Sequence, residues 1–399
     1  MVVGKQTRQP EEDSMKKQMT IFGRSENNGR YQVSLDVHDQ STYLMGIDGD
    51  KGITTIDHNV RGTPRAALAI LQKTGMPPSR TEVIYEAGSL GFYPYRLFSE
   101  AGYTCRMIAP SSIPHRTKEQ KTDRDDARDN LAYHRSGLLR YVNIPTQSQV
   151  EDRECLRYRT SLTYAITKRK QQILAFTKRQ GLEYTLTKTN WTKKHRSWLQ
   201  TVETSSSVRI VLDDMAADLE GLEQRLKKID TSLDAIISGN EWYRRLNAYY
   251  SVFPGFGRVN SMIIILEGGS LDRFPHPSNL MNYVGLIPRK CASGTSDPAL
   301  HITKDGNFGM RLGLVGASKV YLNHRVVEKA LMRLDKIEDE SLRALVKKTI
   351  LRLSSRGRRL CARRKHVNKV RCAIARELCG FLWELHVRVM PLQDIAIAA

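Results

Sequence analysis

The run Tyr31-Gln-Val-Ser-Leu35, which is followed at once by Asp36, decides how the first part of the chain folds. A second run of the same kind, Thr81-Glu-Val-Ile-Tyr85, is followed by Glu86. Both runs have the length and composition of buried strands. Each acid therefore marks the point at which a strand leaves the core, and we expect both carboxylates to be exposed at strand ends.

Two further acids, Asp123 and Asp126, lie on a predicted helix that begins near Thr122. Their i, i+3 spacing places both carboxylates on one helix face, although Asp125 lies between them and leaves the register open. Four such carboxylates can hold two Mg²⁺ ions, which lie about 3.5–4 Å apart in enzymes that displace phosphoryl groups. Each acid alone is more simply a solvated residue, but the four together favour a metal site.

The composition indicates a polyanionic partner. The 399 residues include 63 Lys and Arg against 42 Asp and Glu, which gives a formal net charge of +21. An excess of this size favours nucleic acid over an anionic membrane surface. Six cysteines form no CxxC pair, which argues against zinc and against a disulfide framework.

The hydrophobic fraction of 40% is enough for two or three domains with real cores. No apolar run is long enough to span a bilayer, and residues 1–30 contain no signal peptide, so we expect a cytoplasmic protein without a membrane partner. Residues 1–30 are polar and basic, and we interpret them as a flexible arm.

Residues 31–146 are predicted to form a mixed α/β domain. Three strands come first, and helices then alternate with strands. This is the element order of a ribonuclease-H-like fold, and acids on the first strand, the fourth strand and a late helix suit it. The predicted strands cover residues 31–35, 42–46, 53–58, 82–85 and 105–108, and the predicted helices cover 64–73, 93–101 and 122–136.

Residues 147–250 are predicted to form a helical hairpin. A basic, helix-prone segment covers residues 147–180, and apolar residues then recur at alternating steps of three and four between 208 and 236. This is the heptad pattern of a coiled coil. Two interpretations stay open, because the seam can join two chains as a dimerisation helix or pack on the first helix of its own chain. A dimer of hairpins would satisfy both.

Residues 251–399 are predicted to be mostly helical. Gly255 and Gly257 precede an apolar helix and resemble a helix-hairpin-helix element, whose exposed backbone N–H groups hold a phosphate without reading a base. A simple tight turn explains the two glycines about equally well. Two long helices are predicted beyond them, over residues 307–337 and 341–386.

The second of these helices carries the strongest charge cluster of the chain. Ten Lys or Arg and no acid lie between Arg352 and Arg376. A solvated helix face normally mixes both signs, so the cluster predicts a surface for the nucleic-acid backbone. The candidate phosphate contacts are Arg358, Arg359, Arg363, Arg364 and Lys365.

Seven motifs carry a resemblance to a known family. They are Leu35-Asp-Val37, Tyr85-Glu-Ala-Gly88, Lys121-Thr-Asp-Arg-Asp-Asp-Ala127, Pro254-Gly-Phe-Gly257, Tyr283-Val-Gly-Leu-Ile-Pro288, Ser293-Gly294 and Ile302-Thr-Lys-Asp-Gly-Asn307. In order and spacing, over residues 31–320, the chain resembles the DEDD recombinases of bacterial insertion sequences, the insertion sequence 110 family with its 1111 subgroup.

The resemblance implies a RuvC-like domain, a linking coiled coil and a C-terminal transposase domain whose serine forms a covalent phosphoserine link to DNA. It implies three kinds of partner: donor and target DNA, a guide (bridge) RNA, and further copies of the chain as a dimer and, in the synapse, a tetramer. It makes Ser293 the nucleophile, and Lys304 is then placed to neutralise the scissile phosphate. The metal-binding quartet is Asp36, Glu86, Asp123 and Asp126.

Two other functions fit the residues. A RuvC-type junction resolvase would use the quartet and a water molecule, which leaves Ser293 without a task. A non-catalytic nucleic-acid-binding protein would keep a degenerate form of the same fold.

Overall fold

The first strand, β1 (Tyr31–Val37), is central in a five-stranded sheet with the order β3-β2-β1-β4-β5. The computed structural model describes residues 31–114, 122–288 and 301–389. β1 pairs antiparallel with β2 and parallel with β4, so the predicted mixed sheet is confirmed. The remaining strands are β2 (Ser41–Asp48), β3 (Ile53–Arg61), β4 (Thr81–Glu86) and β5 (Thr104–Ile108).

Helices cover both faces of this sheet. On one face, Leu35 and Tyr85 pack in a core with residues of α1 (Pro64–Lys73) and α2 (Tyr93–Glu100). On the other face, Ile84 packs with residues of α3 (Asp123–Arg135). Because successive side chains of a strand point to opposite faces, the residue that follows Leu35 lies on the α3 face. Strand alternation thus places Asp36 on the side of the sheet that α3 covers.

The chain divides after Ile144 into two compact units. The second unit is helical, and no helix among the described residues is long and apolar enough to cross a membrane. The helical hairpin and the C-terminal helices belong to this one unit. Its helices are α4 (Gln147–Arg179), α5 (Lys193–Thr201), α6 (Ser206–Gly239), α7 (Glu241–Tyr250), α8 (Arg258–Gly268), α9 (Pro277–Tyr283), α10 (Phe308–Ser318), α11 (His324–Met332), α12 (Glu340–Ala362) and α13 (Val367–Val389).

The heptad seam of α6 packs within its own chain. Leu212 and Leu219 are buried in a core that also contains Leu162 and Ile173 of α4. Of the two interpretations left open by the sequence, packing on the first helix is therefore the one observed, while a dimer remains a prediction. Ion pairs fix the antiparallel register of the two helices: Arg159–Asp230 at 2.7 Å, Arg169–Asp218 at 2.7 Å and Lys170–Glu223 at 2.9 Å.

The prediction of two long C-terminal helices is wrong, because each range contains more than one helix. The first is interrupted before α11, where the Asn323 side chain accepts the backbone N–H of Val326 at 3.3 Å and begins a new helix. The second breaks between α12 and α13, at Arg364, whose φ of 52° is left-handed. A residue with this backbone geometry ends a helix, and no glycine or proline marks the position in the sequence.

His386 of α13 is a buried histidine in the core of the second unit. Its Nδ1 lies 2.8 Å from the Tyr250 hydroxyl, and its Nε2 accepts the backbone N–H of Leu271 at 3.2 Å. Burial lowers the pKa of His386 to about 4, although Asp272 opposes the shift. The neutral ring is therefore the form that the core accommodates.

We expect His386 to make the fold sensitive to mild acid. Its pKa is about 4 when folded against 6.5 as the ordinary value, so between these values the unfolded chain binds the extra proton. Stability should fall as pH drops from about 6.5 to about 4, by on the order of 3 kcal/mol. Urea unfolding at several pH values measures this for the wild type and His386→Gln. Equal pH dependence in both proteins would contradict the prediction.

Candidate active site

Three side chains converge where β1 ends: Asp36, His38 and Asp123. The His38 Nε2 lies 3.3 Å from Oδ2 of Asp36 and 3.7 Å from Oδ1 of Asp123. Each of the three residues offers one ligand atom, and these atoms all lie within 4.8 Å of one another. This spacing allows one cation to contact all three.

Helix α3 carries Asp123 to this position. Thr122 caps the helix, because its side chain accepts the backbone N–H of Asp125 at 3.2 Å. Ala127 and Leu131 are buried in the core between α3 and the sheet. Asp123 precedes them at intervals of four residues, so it lies at the start of the same helix face.

The structure also resolves the register of the helical acids. The Asp125 carboxylate accepts the Thr122 hydroxyl at 2.8 Å and pairs with Arg128, so it belongs to the helix cap. Asp126 is near enough to Asp36 for its charge to affect the pKa of that carboxyl. Asp123 is therefore the helical acid that joins the cluster, Asp126 lies near it, and Asp125 belongs to the helix cap.

The electrostatics of Asp36 favour a cation. Burial raises the pKa of Asp36, and the charges of Asp123 and Asp126 raise it further, while His38 acts in the opposite direction. Carboxylates that face one another repel, and a bound cation removes that repulsion. Carboxylate oxygens are the donors that Mg²⁺ prefers, whereas imidazole suits transition metals. The residues therefore fit Mg²⁺ through the two aspartates.

Glu86 ends the neighbouring strand β4. Leu35 pairs with Tyr85, so Asp36 and Glu86 follow at equivalent positions of two parallel strands. Glu86 is exposed and, within the described ranges, is not one of the three residues that cluster at the end of β1. His38 was not among the predicted ligands. Its place two residues after Asp36, just beyond the end of β1, was the available signal.

Ser293 lies outside the described residues, but both sides of the segment that carries it are described. Pro288 and Ile302 form an antiparallel bridge. The backbone N–H of Lys304 donates to the carbonyl of Gly285 at 3.2 Å, and Lys304 itself is exposed. The two motifs on either side of Ser293 therefore pair with each other along the backbone.

Two glycines make this pairing possible. Gly306 has a φ of 87°, and a Cβ there would lie 2.1 Å from the carbonyl oxygen of Tyr283. Gly285 has a φ of 70°, and a Cβ there would lie 2.1 Å from the carbonyl oxygen of Asp305. Any other residue at either position would force the two motifs apart.

A buried carboxylate, Glu267 of α8, anchors the same region. Arg157 of α4 contacts it through two nitrogens, at 2.9 and 3.1 Å, and the Asn307 side chain donates to it at 3.0 Å. Burial raises the pKa of Glu267, but these hydrogen bonds outweigh that effect and hold the pKa below its usual value. The charged form of Glu267 thus joins α4 and α8 to the start of α10. No local pattern in the sequence predicts this contact.

The two glycines of the predicted phosphate-binding turn differ. Gly255 has a φ of 93°, and a Cβ there would lie 2.6 Å from the carbonyl oxygen of Ala317, so close packing requires it. Gly257 is the N-cap of α8 and has open space where a Cβ would lie. Its role in phosphate contact remains a prediction.

The basic cluster divides into paired and exposed cations. Arg352 and Arg356 pair with Glu377 of α13 at 3.0 and 2.8 Å, an acid that lies just beyond the acid-free stretch. The other named cations lie at the end of α12 and in the turn before α13. The exposed side chains are Arg358, Arg359, Arg363, Arg364 and Lys365.

Comparison with known proteins decides the family. Residues 250–333 match the family described as Transposase IS116/IS110/IS902 family. The Sinorhizobium fredii protein y4qE, whose name describes it as a transposase, is 31% identical over 306 residues, 75% of this chain and 74% of that protein. The chain belongs to the IS110 family of insertion-sequence transposases.

Other relatives agree with this assignment to the IS110 family. The transposase for insertion sequence element IS1111A of Coxiella burnetii is 25% identical over 300 residues, 73% of this chain and 78% of that protein. The transposase for insertion sequence element IS1533 of Leptospira borgpetersenii is 23% identical over 238 residues, 59% and 68% of the two chains. The resemblance inferred from the seven motifs is confirmed.

We expect the cluster of Asp36, His38 and Asp123 at the end of β1 to bind divalent metal. Asp123→Asn should weaken Mn²⁺ binding, followed by electron paramagnetic resonance, and Mg²⁺ binding, followed by calorimetry, by at least about tenfold, because it removes a charged oxygen ligand. Asp125→Asn is the matched control, since it removes the same charge from the same helix turn while its side-chain oxygen can still accept the Thr122 hydroxyl. Equal metal affinity in wild type and Asp123→Asn would contradict the assignment.

Proposed function

We propose that this transposase exchanges DNA strands with Ser293 as the nucleophile and with Mg²⁺ held by the acidic quartet. The observation that carries the proposal is the convergence of Asp36 and Asp123 at the end of the central strand. The mixed sheet and the position of α3 support a RuvC-like, ribonuclease-H-like identity for the first unit. The quartet is Asp36, Glu86, Asp123 and Asp126, and two ions are the number proposed.

The chemistry divides between the acids and the serine. Bound Mg²⁺ supplies positive charge that stabilises the phosphate oxygens during transfer. Asp36 and Asp123 would hold that ion at the end of β1. A serine hydroxyl is a weak nucleophile unaided, so Ser293 needs such charge nearby to ease formation of the alkoxide. Lys304, which is exposed, offers a further positive charge to the phosphate.

The proposed transfer conserves the phosphodiester bond. The Ser293 Oγ forms a bond to phosphorus, the bond from phosphorus to the leaving deoxyribose oxygen breaks, and the serine proton ends on the leaving hydroxyl. A hydroxyl of the second strand then attacks the phosphoserine, its proton returns to Ser293, and the new strand is joined. One bond replaces another at each step, so no ATP is required.

The serine step has a direct test. Ser293→Ala should abolish strand exchange and the covalent protein–DNA adduct, a loss of more than about a hundredfold, because no other group replaces the nucleophile. Denaturing gels with labelled DNA detect both products. Asp123→Asn should also stop the reaction, and Asp125→Asn should not. If Ser293→Ala cuts DNA as fast as the wild type, the reaction is hydrolysis by water, as in a junction resolvase.

We propose that a guide RNA binds the exposed basic surface formed by the end of α12 and the turn before α13. The five exposed cations there lie close together in the chain, and cationic surfaces of this kind bind a phosphate backbone without choosing a sequence. Guide RNA would then supply the choice of donor and target DNA by base pairing. Strand exchange joins two DNA sites, which favours two copies of the chain, and four in the synapse.

Charge reversal tests the RNA surface. The double variant Arg363→Glu and Lys365→Glu should bind structured RNA on the order of tenfold more weakly. The slope of log affinity against log salt concentration should also become shallower, by roughly 1.5. Filter binding over a series of salt concentrations measures both. Lys227→Glu with Lys228→Glu makes the same charge change on an exposed part of α6. Equal losses in the two double variants would mean that net charge, and not this surface, sets RNA affinity.

A further inference from the structure

Phe308, the first residue of α10, exposes 62% of its surface. An exposed ring of this size beside a buried core is a candidate for contact with a partner. The guanidinium carbon of Arg311 lies 5.7 Å from the ring centre. Arg311 is itself fixed, because it donates to the carbonyl of Val284 at 2.8 Å. The ring is thus supported by an anchored cation while it stays open to solvent.

The ring lies at the rim of a cavity of about 480 Å³ between α4, α8 and α10. Leu156, Ile263 and Leu312 supply apolar walls. Cavities that take small planar ligands fall in the range of about 300–1,000 Å³. The cavity therefore has the size and apolar lining for a flat aromatic group.

The polar groups of this cavity are already bonded to one another. Arg157 and Asn307 both donate to Glu267, and the Thr160 hydroxyl donates to the carbonyl of Leu156 at 3.0 Å. These groups therefore have few donors or acceptors left to form hydrogen bonds with the edge of a ligand. An aromatic ligand would be held by its faces, which favours stacking over hydrogen-bonded recognition.

The position of Phe308 relates it to the proposed reaction. It follows Asn307, whose backbone N–H donates to the carbonyl of Tyr283 at 2.9 Å and so closes the pairing of the motifs on either side of Ser293. The exposed Lys304 lies within the same motif and carries the charge that a DNA backbone requires. A DNA strand whose phosphate reaches Ser293 has neighbouring bases that must leave their pairs during exchange.

We propose that Phe308 stacks against an unpaired base of the DNA strand being exchanged, with the cavity beside it receiving that base. The inference rests on the proposed function for its biological role. The apolar contact compensates for the stacking that the base loses when it leaves the duplex. Because base edges are not read, the site accepts all four bases.

The experiment uses the full chain with Ser293→Ala, so that no chemistry occurs, and DNA that contains one unpaired 2-aminopurine in a gapped duplex. Binding should quench the fluorescence of 2-aminopurine, since stacking on an aromatic ring does so. Adding Phe308→Ala or Phe308→Leu should remove the quench and weaken binding roughly 5- to 100-fold, whereas Phe308→Trp should keep both. Thermal unfolding checks that each variant is folded.

The matched control is Tyr93→Ala, which removes an exposed ring, 37% accessible, from the other unit and should leave the quench unchanged. An undiminished quench in Phe308→Ala overturns the proposal, as does full binding by Phe308→Leu, which keeps the apolar contact but no ring. A change in sedimentation with no change in quench would assign Phe308 to contacts between copies instead. The fluorescence quench is measured without any reaction. The test of Phe308 therefore does not depend on whether Ser293 is the nucleophile.

Discussion

The burial of Ala127 and Leu131 against the sheet is the interaction on which the proposed metal site depends. These side chains fix α3 on one face of the sheet, and the same helix face begins with Asp123. Each buried aliphatic side chain of leucine size contributes about 1.5–3 kcal/mol, which offsets the repulsion between carboxylates held at the end of β1. Burial of the core thus stabilises a cluster of like charges that can bind a cation.

The second unit also holds a carboxylate in an unfavourable position, because Glu267 is charged and buried. A buried carboxylate is stable only if charged partners and hydrogen bonds replace water, and Arg157 and Asn307 provide them. The contacts of Glu267 therefore join α4, α8 and the start of α10, and they connect these helices to the motifs on either side of Ser293. The Gly-Asn pair at 306 and 307 therefore has a structural explanation, because Gly306 permits the close approach and Asn307 ties it to the carboxylate.

Much of this was predictable because the signals are local. The length and composition of the two runs predicted β1 and β4, helix α1 covers the predicted residues 64–73, and the acids fall at strand ends and at a helix start. Features that depend on distant contacts were missed. His38 reaches Asp123 only because α3 crosses the end of β1, and no glycine or proline marks the helix break at Arg364. The break at Asn323 does have a local signal, because the Asn323 side chain caps α11.

The sequence alone determined the order of elements in the first unit, the positions of the acids and of the basic cluster along the chain, and membership of the transposase family, because periodicity, charge and motif spacing are properties of the chain. The tertiary structure decided which partner each surface meets. The heptad seam predicted a helix partner, but only folding brought α4 against Leu212 and Leu219. Likewise, Asp123 and Asp125 are equivalent acids in the sequence, and the cap at Thr122 decides which one faces Asp36. A local pattern shows whether a face requires an apolar or a charged partner, and the tertiary structure determines which residues are that partner.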